Sequence, residues 1–410
     1  MSLYPALKNR NFKLLWSGLI VSNVGTWMQN VAQSWLIYKM TGNDPLYLGW
    51  LGLAFSIPMV VVPPIGGIVA DRVDRVRLLY ATQTSAMVLA VVLSVLTWRG
   101  LLLPWHILVA TFTSALLLAF DNPARQSLIP ELVPRSELQN ALSLNAATFT
   151  GAALVGPAVA GLLLEQIGAA GLFFMNAVSY LAVIGALGAM RELPVRAPAT
   201  GGLRDALFGG FAYLARDRVT SSLVGLAAIA ALCARSYPQL LPIFADDVWH
   251  AGPRGYGALL SAGGAGALLG AFGLATLREI RTKGLVLLGS GVCLAAALVG
   301  FAFAPSVAVA APLLVAAGIA ATVFTTMIST VIQLRVPPEL RGRVISLYVI
   351  TLIGMPSLGA LGLAAIARAL GMPGGAARAI IGGAIVLLVA LAACARPVLG
   401  HLRKVADKAP

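Results

Sequence analysis

Long apolar stretches, broken by short polar or charged turns, run through this chain almost from end to end. Crossing a bilayer as a helix takes about 20 mostly apolar residues. Windows of that kind recur at 14–38, 48–70, 78–98, 105–124, 140–165, 171–190, 220–244, 256–277, 284–304, 308–332, 344–367 and 378–396. The pattern predicts an all-α membrane protein with twelve transmembrane helices. The stretch from Arg191 to Arg218 holds five arginines together with Pro194, Pro198, Gly201 and Gly202, and reads as a cytoplasmic linker. It separates an N-terminal six-helix bundle, 1–190, from a C-terminal one, 219–410, with 191–218 between them.

Composition supports the pattern. Hydrophobic residues are 59% of the chain and charged residues 11%, against about 45–50% and about 25% in soluble domains. A formal charge of +14 would suit a nucleic-acid partner, but its distribution excludes one. With the N-terminus placed in the cytoplasm, most basic residues fall on cytoplasmic turns, among them Lys8, Arg10, Lys13, Arg72, Arg75, Arg77, Arg278, Arg281, Arg341 and Arg343. That positive-inside bias puts both termini in the cytoplasm and the chain in the cytoplasmic (inner) cell membrane as a multi-pass protein. The first apolar window exceeds a signal-peptide core, so no cleaved leader is expected.

The two halves echo one another. Gly67 to Arg75 has a degenerate counterpart in Gly273 to Arg281, and Val133-Pro134 with Ser143-Leu144 has one in Val336-Pro337 with Ser346-Leu347. Both echoes join equivalent spans at nearly the same offset. A six-plus-six pseudo-repeat accounts for them, and such repeats characterise alternating-access transporters with a site between the halves.

Polar residues inside the spans are the candidate chemistry. Asn23, Thr26, Asn30 and Gln33 recur at helical spacing in the first span, and polar groups facing lipid are costly, so this stripe is expected to face the protein interior. Arg235 lies within the seventh span beside Tyr237, Pro238 and Gln239. It could bind an anionic or hydrogen-bond-rich substrate group, satisfy carbonyls freed by Pro238, or snorkel outward. Every Asp and Glu reads as lying at or near a span end, with Asp121, Glu165, Asp246 and Asp247 the nearest to the interior.

Enzyme chemistry finds no support. Three histidines and three cysteines are scattered without metal-ligand spacing, and no phosphate-binding glycine loop occurs. No catalytic residue, metal or cofactor is expected.

The densest charge follows the second span, in Gly66-Gly67-Ile68-Val69-Ala70-Asp71-Arg72-Val73-Asp74-Arg75-Val76-Arg77. This turn, Asn122-Pro123-Ala124-Arg125-Gln126, Ile129-Pro130-Glu131-Leu132-Val133-Pro134, Leu240-Leu241-Pro242 and Phe244-Ala245 together resemble the major facilitator superfamily, in its enterobactin-exporter-like or macrolide-efflux-like branch. Gly67, Asp71, Arg72 and Arg75 match the superfamily's turn motif, while Asp74 replaces its second glycine and Val76 a basic residue. The resemblance implies the major facilitator fold. It also implies that Asp71 faces the start of the eleventh span and latches the cytoplasmic side, with Arg75 or Arg125 paired to Asp121. Leu277 stands where the second-half echo would carry the acid, so the latch is expected to be one-sided.

Gly156, Pro157 and Gly161 resemble the fifth-helix signature of superfamily exporters, with Gly266 and Gly270 of the eighth span as a partner surface. The first, fourth, seventh and tenth helices line the cavity of this fold. That nominates Asn23, Thr26, Asn30, Gln33, Arg235, Gln239, Thr322 and Thr326, with Thr325 and Ser329 beside them. The implied function is secondary active export of a small organic molecule by a monomer, with membrane lipid around it and protons as the coupling ion. A lipid or amphiphile flippase-like carrier, an importer of the same fold and a non-transporting receptor are the alternatives.

Overall fold

The computed structural model describes residues 4–63, 73–190, 213–214, 216–276 and 282–406. Gly67, Asp71, Arg72, Leu277, Arg278 and nearly all of the linker expected at 191–218 lie outside the described residues.

The described chain is helical. It forms α1 (Arg10–Met40), α2 (Leu46–Val61), α3 (Arg75–Trp98) and α4 (Pro104–Leu132). The next segment, Leu138–Gly188, bends at Gly168, whose φ of 66° and ψ of −179° suit glycine alone and separate α5 (138–167) from α6 (169–188). There follow α7 (Arg218–Cys233), α8 (Gly252–Thr276), α9 (Lys283–Ala302), α10 (Val307–Arg335), α11 (Pro338–Ala369) and α12 (Gly374–Ala406). Among the described residues nine segments are long and apolar enough to cross a membrane, the bent pair α5–α6 counting as one of them. At 31 residues α1 has the length, but Asn23, Thr26, Gln29, Asn30 and Gln33 lower its apolarity.

Local chemistry explains the ends. Asp74 caps α3, its Oδ1 accepting from the backbone N–H of Val76 (2.9 Å) and Arg77 (3.0 Å). The residue that departs from the superfamily's turn motif therefore does structural work. Pro104 and Pro338 sit in the first turns of α4 and α11, where a missing N–H costs nothing. The fourth span differs from expectation: α4 runs through Pro123 and Pro130 to Leu132, because extended Val133 before Pro134 is what stops it. Asp121 consequently lies well inside a helix and not near its end.

The contacts divide the described chain into two units. One takes in Met1–Asn43, Ala54–Gly201 and Pro253–Gly257; the other takes in Asp44–Leu53, Gly202–Gly252 and Ala258–Pro410. In the first, Phe12, Leu15 and Leu19 of α1 pack with Leu79 of α3, Leu128 and Ile129 of α4, and Val183 and Leu187 of α6. Trp16 Nε1 donates to the Leu144 carbonyl (3.1 Å), tying α1 to α5.

In the second unit α9, α10 and α12 bury Leu287, Leu294, Phe324, Ile328 and Leu387. Here glycines let backbones meet. A β-carbon on Gly359 of α11 would overlap the Leu232 carbonyl oxygen, and one on Gly383 of α12 would overlap that of Cys233. The end of α7 is thus clasped between α11 and α12.

Gly359→Ala should lower the melting temperature of the detergent-solubilised protein, overpacking of this kind costing about 1–3 kcal/mol. Gly362→Ala, with nothing within 4 Å of the added carbon, should cause no loss. Equal melting of the two variants would refute the close contact.

Candidate functional site

Two clusters of polar and charged groups stand inside the units, one in each. In the first, Asp121 of α4 is 3% exposed and accepts hydrogen bonds from Thr82 Oγ1 (3.1 Å) and Gln83 Nε2 (2.8 Å) of α3, and from Arg125 Nη2 (2.6 Å) one turn along its own helix. The same Arg125 nitrogen donates to Asn122 (2.9 Å). Removed from water, the carboxylate is stabilised by these donors and its opposite charge. Arg75 is drawn elsewhere: it pairs with Glu131 near the end of α4. Thr82, Gln83 and Glu131 are members that sequence reasoning missed. Glu131 lay in a quoted motif but carried no assigned partner, since the distance between α3 and α4 cannot be read from spacing.

On α1 the accessible residues are Asn30, exposed, and Asn23 and Thr26, half-buried. Asn23 donates to Thr148 (3.3 Å). Gln33, by contrast, is buried and accepts from Thr111 (3.4 Å). A second buried row was missed: Gln29 accepts from Asn176 Nδ2 of α6 (2.7 Å), and Ser179 donates to Asn176 (3.1 Å). A lone amide in the apolar window 171–190 was the available signal. Gln33 Nε2 and Gln83 Oε1 are buried without a hydrogen-bond partner.

The α5 signature is a packing surface. Gly156 meets Trp27 and Val24 of α1, and Gly161 meets Pro253 and Gly257 at the start of α8, where an added carbon would lie 2.8 Å from the Pro253 carbonyl. Arg254 and Glu165 pair beside this contact (2.6 Å). Pro157 is buried, and its carbonyl abuts Gly257. The partner of α5 is therefore Gly257. Gly266 and Gly270, expected in that role, instead face Val315 and Ile319 of α10, about two and a half to three and a half turns further along α8.

The second cluster surrounds the end of α7. Its regular helix stops at Cys233, and a 3₁₀ turn (Tyr237–Leu240) and a π turn (Phe244–Val248) follow. Pro238 is the cause, since its ring excludes the carbonyl four residues back and supplies no N–H. The last turn of α7 is closed by Ser236, whose Oγ donates to the carbonyls of Ala231 (3.0 Å) and Leu232 (2.9 Å). Arg235 is not spent on them. Its side chain is half-buried and lies within electrostatic reach of the hydroxyls of Tyr237 and Tyr348.

Tyr348 in turn donates to the Thr325 carbonyl of α10 (2.6 Å). Gln239 is half-buried, Thr326 is exposed, and Thr322 packs against Gly270. Among the described residues no group of three or more His, Cys, Asp or Glu could hold a metal.

Asp217, also missed, caps α7 by accepting from the Thr220 N–H (3.2 Å) and is gripped by Arg335 at the end of α10 through Nε (2.8 Å) and Nη2 (2.7 Å). Hydrogen bonding from Arg335, opposed by partial burial and aided by Thr220, holds the Asp217 carboxyl well below the usual aspartate range.

Apolar helices with hydrogen-bonded charge inside them, a bent α5–α6 segment and a broken α7 characterise a polytopic helical membrane protein. The transmembrane secretion effector family matches residues 1–409, and the chain belongs to it. It is 26% identical over 345 residues to the multidrug efflux pump Tap of Mycolicibacterium fortuitum, covering 80% of this chain and 81% of that one. It is 25% identical over 173 residues to the staphyloferrin A transporter of Staphylococcus aureus, covering 42% of this chain and 43% of that protein. To macrolide efflux protein A of Streptococcus pyogenes it is 26% identical over 184 residues, 44% of each.

The chain thus spans less than half the length of the last two relatives. Among solved structures, a bacterial homologue of the human lysosomal transporter Spinster superposes with a TM-score of 0.75 at 18% identity, covering 98% of this chain and 99% of that one. The nucleoside transporter NupG superposes with a TM-score of 0.71 at 14% identity, covering 98% and 100%. At these identities the likeness is one of fold. The family and these relatives are membrane transporters and not enzymes.

Because the pKa of Asp217 is lowered by folding, the stability it contributes is complete above the ordinary aspartate value of about 4. It drains away as pH falls through the lower folded value. The melting-temperature gap between wild type and Asp217→Asn should be constant from pH 5 to 8 and shrink on acidification below about pH 4. A gap that widens in acid would contradict the pairing.

Proposed function

We propose that this chain is a secondary active exporter of a small organic molecule, working by alternating access between two six-helix halves, 1–190 and 219–410, that together provide twelve spans. It acts as a monomer in the cytoplasmic membrane with both termini in the cytoplasm, and protons drive it. The family match supports transport, and the efflux proteins among its relatives support the outward direction.

The observation that carries the reading is the buried cluster at Asp121. A buried ion pair adds little stability over a well-packed apolar replacement. Retaining Asp121, Arg125, Thr82 and Gln83 together inside apolar helices therefore speaks for a moving, charge-responsive part. In this reading Gly67, Asp71, Arg72 and Arg75 form the cytoplasmic latch, with Glu131 holding Arg75 in place. Gly156, Pro157 and Gly161 form the surface on which α5 shifts. The accessible Asn23, Thr26 and Asn30 contribute to the substrate path, together with Gln33, Gln239, Thr322 and Thr326.

Purified protein in proteoliposomes, offered a macrolide and staphyloferrin A in turn, should move at least one of them against its gradient when a pH gradient is imposed. A protonophore should stop it. Asp121→Asn should reduce flux by about tenfold or more, the loss of one buried charged hydrogen bond being worth about 1.5–3 kcal/mol. Flux only down the substrate gradient, indifferent to pH, would overturn proton-driven export. Asp71→Asn should raise the inward-facing population in spin-label distance measurements and slow transport; unchanged distances and flux would remove the latch.

A further inference from the structure

Five arginines of the described structure meet carboxylates: Arg75 with Glu131, Arg125 with Asp121, Arg254 with Glu165, Arg335 with Asp217 and Arg368 with Asp44. Arg235 is not among them. It stands inside the 31-residue apolar segment Arg218–Val248, where a cation is costly and marks a function by default. Among the described residues its guanidinium donates to no carboxylate and no carbonyl.

In the last turn of α7, Ser236 takes the carbonyls of Ala231 and Leu232, and Gly359 and Gly383 pack over those of Leu232 and Cys233. Tyr237 and Tyr348 present neutral hydroxyls nearby, and the Tyr348 hydroxyl proton is directed to Thr325. The residue is half-buried and not fully enclosed by the protein.

An arginine offers five N–H donors in a planar fork that matches an oxyanion. The backbone just before Arg235 is pinned by the α11 and α12 contacts at Leu232 and Cys233.

We propose that Arg235, with Tyr237 and Tyr348 beside it, is an oxyanion-recognition site within the C-terminal half, and that the transported molecule is an organic anion bearing a carboxylate. The assignment rests on the transporter reading for its role in export, but the binding it predicts does not depend on flux. Arg235→Lys keeps the charge and loses the fork, so it should bind carboxylates more weakly than wild type and better than a neutral replacement.

The test uses full-length protein in phosphatidylcholine nanodiscs and a matched pair of amphipathic probes, deoxycholate and its uncharged primary amide, with affinities read by intrinsic tryptophan fluorescence. Wild type should bind the acid at least tenfold more tightly than the amide. Arg235→Gln should abolish that preference while melting within a few degrees of wild type, and Arg235→Lys should retain part of it, which also guards against a misfolded glutamine variant. Equal affinity for acid and amide, no binding of the acid, or a preference that survives in Arg235→Gln would overturn the site.

Repeating the titration with phosphatidylglycerol in the nanodiscs separates a free organic anion from a lipid headgroup. The preference should persist, and its disappearance would reassign the site to a lipid phosphate. Arg235-dependent binding without any pH-driven flux would leave this site standing and remove the export reading; flux of a neutral compound with no acid preference would do the reverse.

Discussion

Inside a bilayer a polypeptide has only itself with which to satisfy hydrogen bonds and charges. That constraint governs the structure at every scale. It makes the described chain helical, since helices close their own backbone bonds. It also requires helix ends to be closed locally, as Ser236 closes the last turn of α7 by donating to two of its carbonyls.

The same constraint gives meaning to the charges. With no water to screen them, Arg125 and Asp121 must be neighbours, and the hydroxyl of Thr82 and the amide of Gln83 complete the shell. Helix contact in hydrocarbon also lacks the hydrophobic drive available in water, so it depends on fit. Gly161 against Gly257, Gly266 and Gly270 against α10, and Gly359 against the end of α7 show that fit as backbone laid on backbone. In a unit packed in this way Arg235 stands with no countercharge supplied by the described protein.

Much of the fold was legible in the residue pattern because bilayer thickness imposes a length on every spanning helix. The bend at Gly168 fell between two anticipated windows, and Arg235 announced itself as a charge within an apolar segment. Where reading went astray, the missing quantity was a distance in space. The fourth window was closed at residue 124, although the helix runs on to the extended residue before Pro134, and so Asp121 was put too near an edge. Of the two arginines offered to Asp121, Arg125 takes it, and Arg75 pairs with Glu131 instead. Gly266 and Gly270 were matched to α5 by their spacing, but rotation and depth turn them toward α10. The buried amides Gln29 and Asn176 went unnoticed because each is unremarked in its own helix and acquires a role only opposite the other.

By itself the sequence determined the class of the molecule, the approximate positions of its helices and the few places where polarity enters hydrocarbon, because those follow from transfer free energies summed along a line. Tertiary structure alone decided which charge meets which, which glycine admits which backbone, and that Arg235 is left without a countercharge among the described residues. Those outcomes depend on angles and offsets between helices whose sequences run far apart, and a hydrogen bond is lost over a shift of about 1 Å. Local propensity carries no record of so small a displacement.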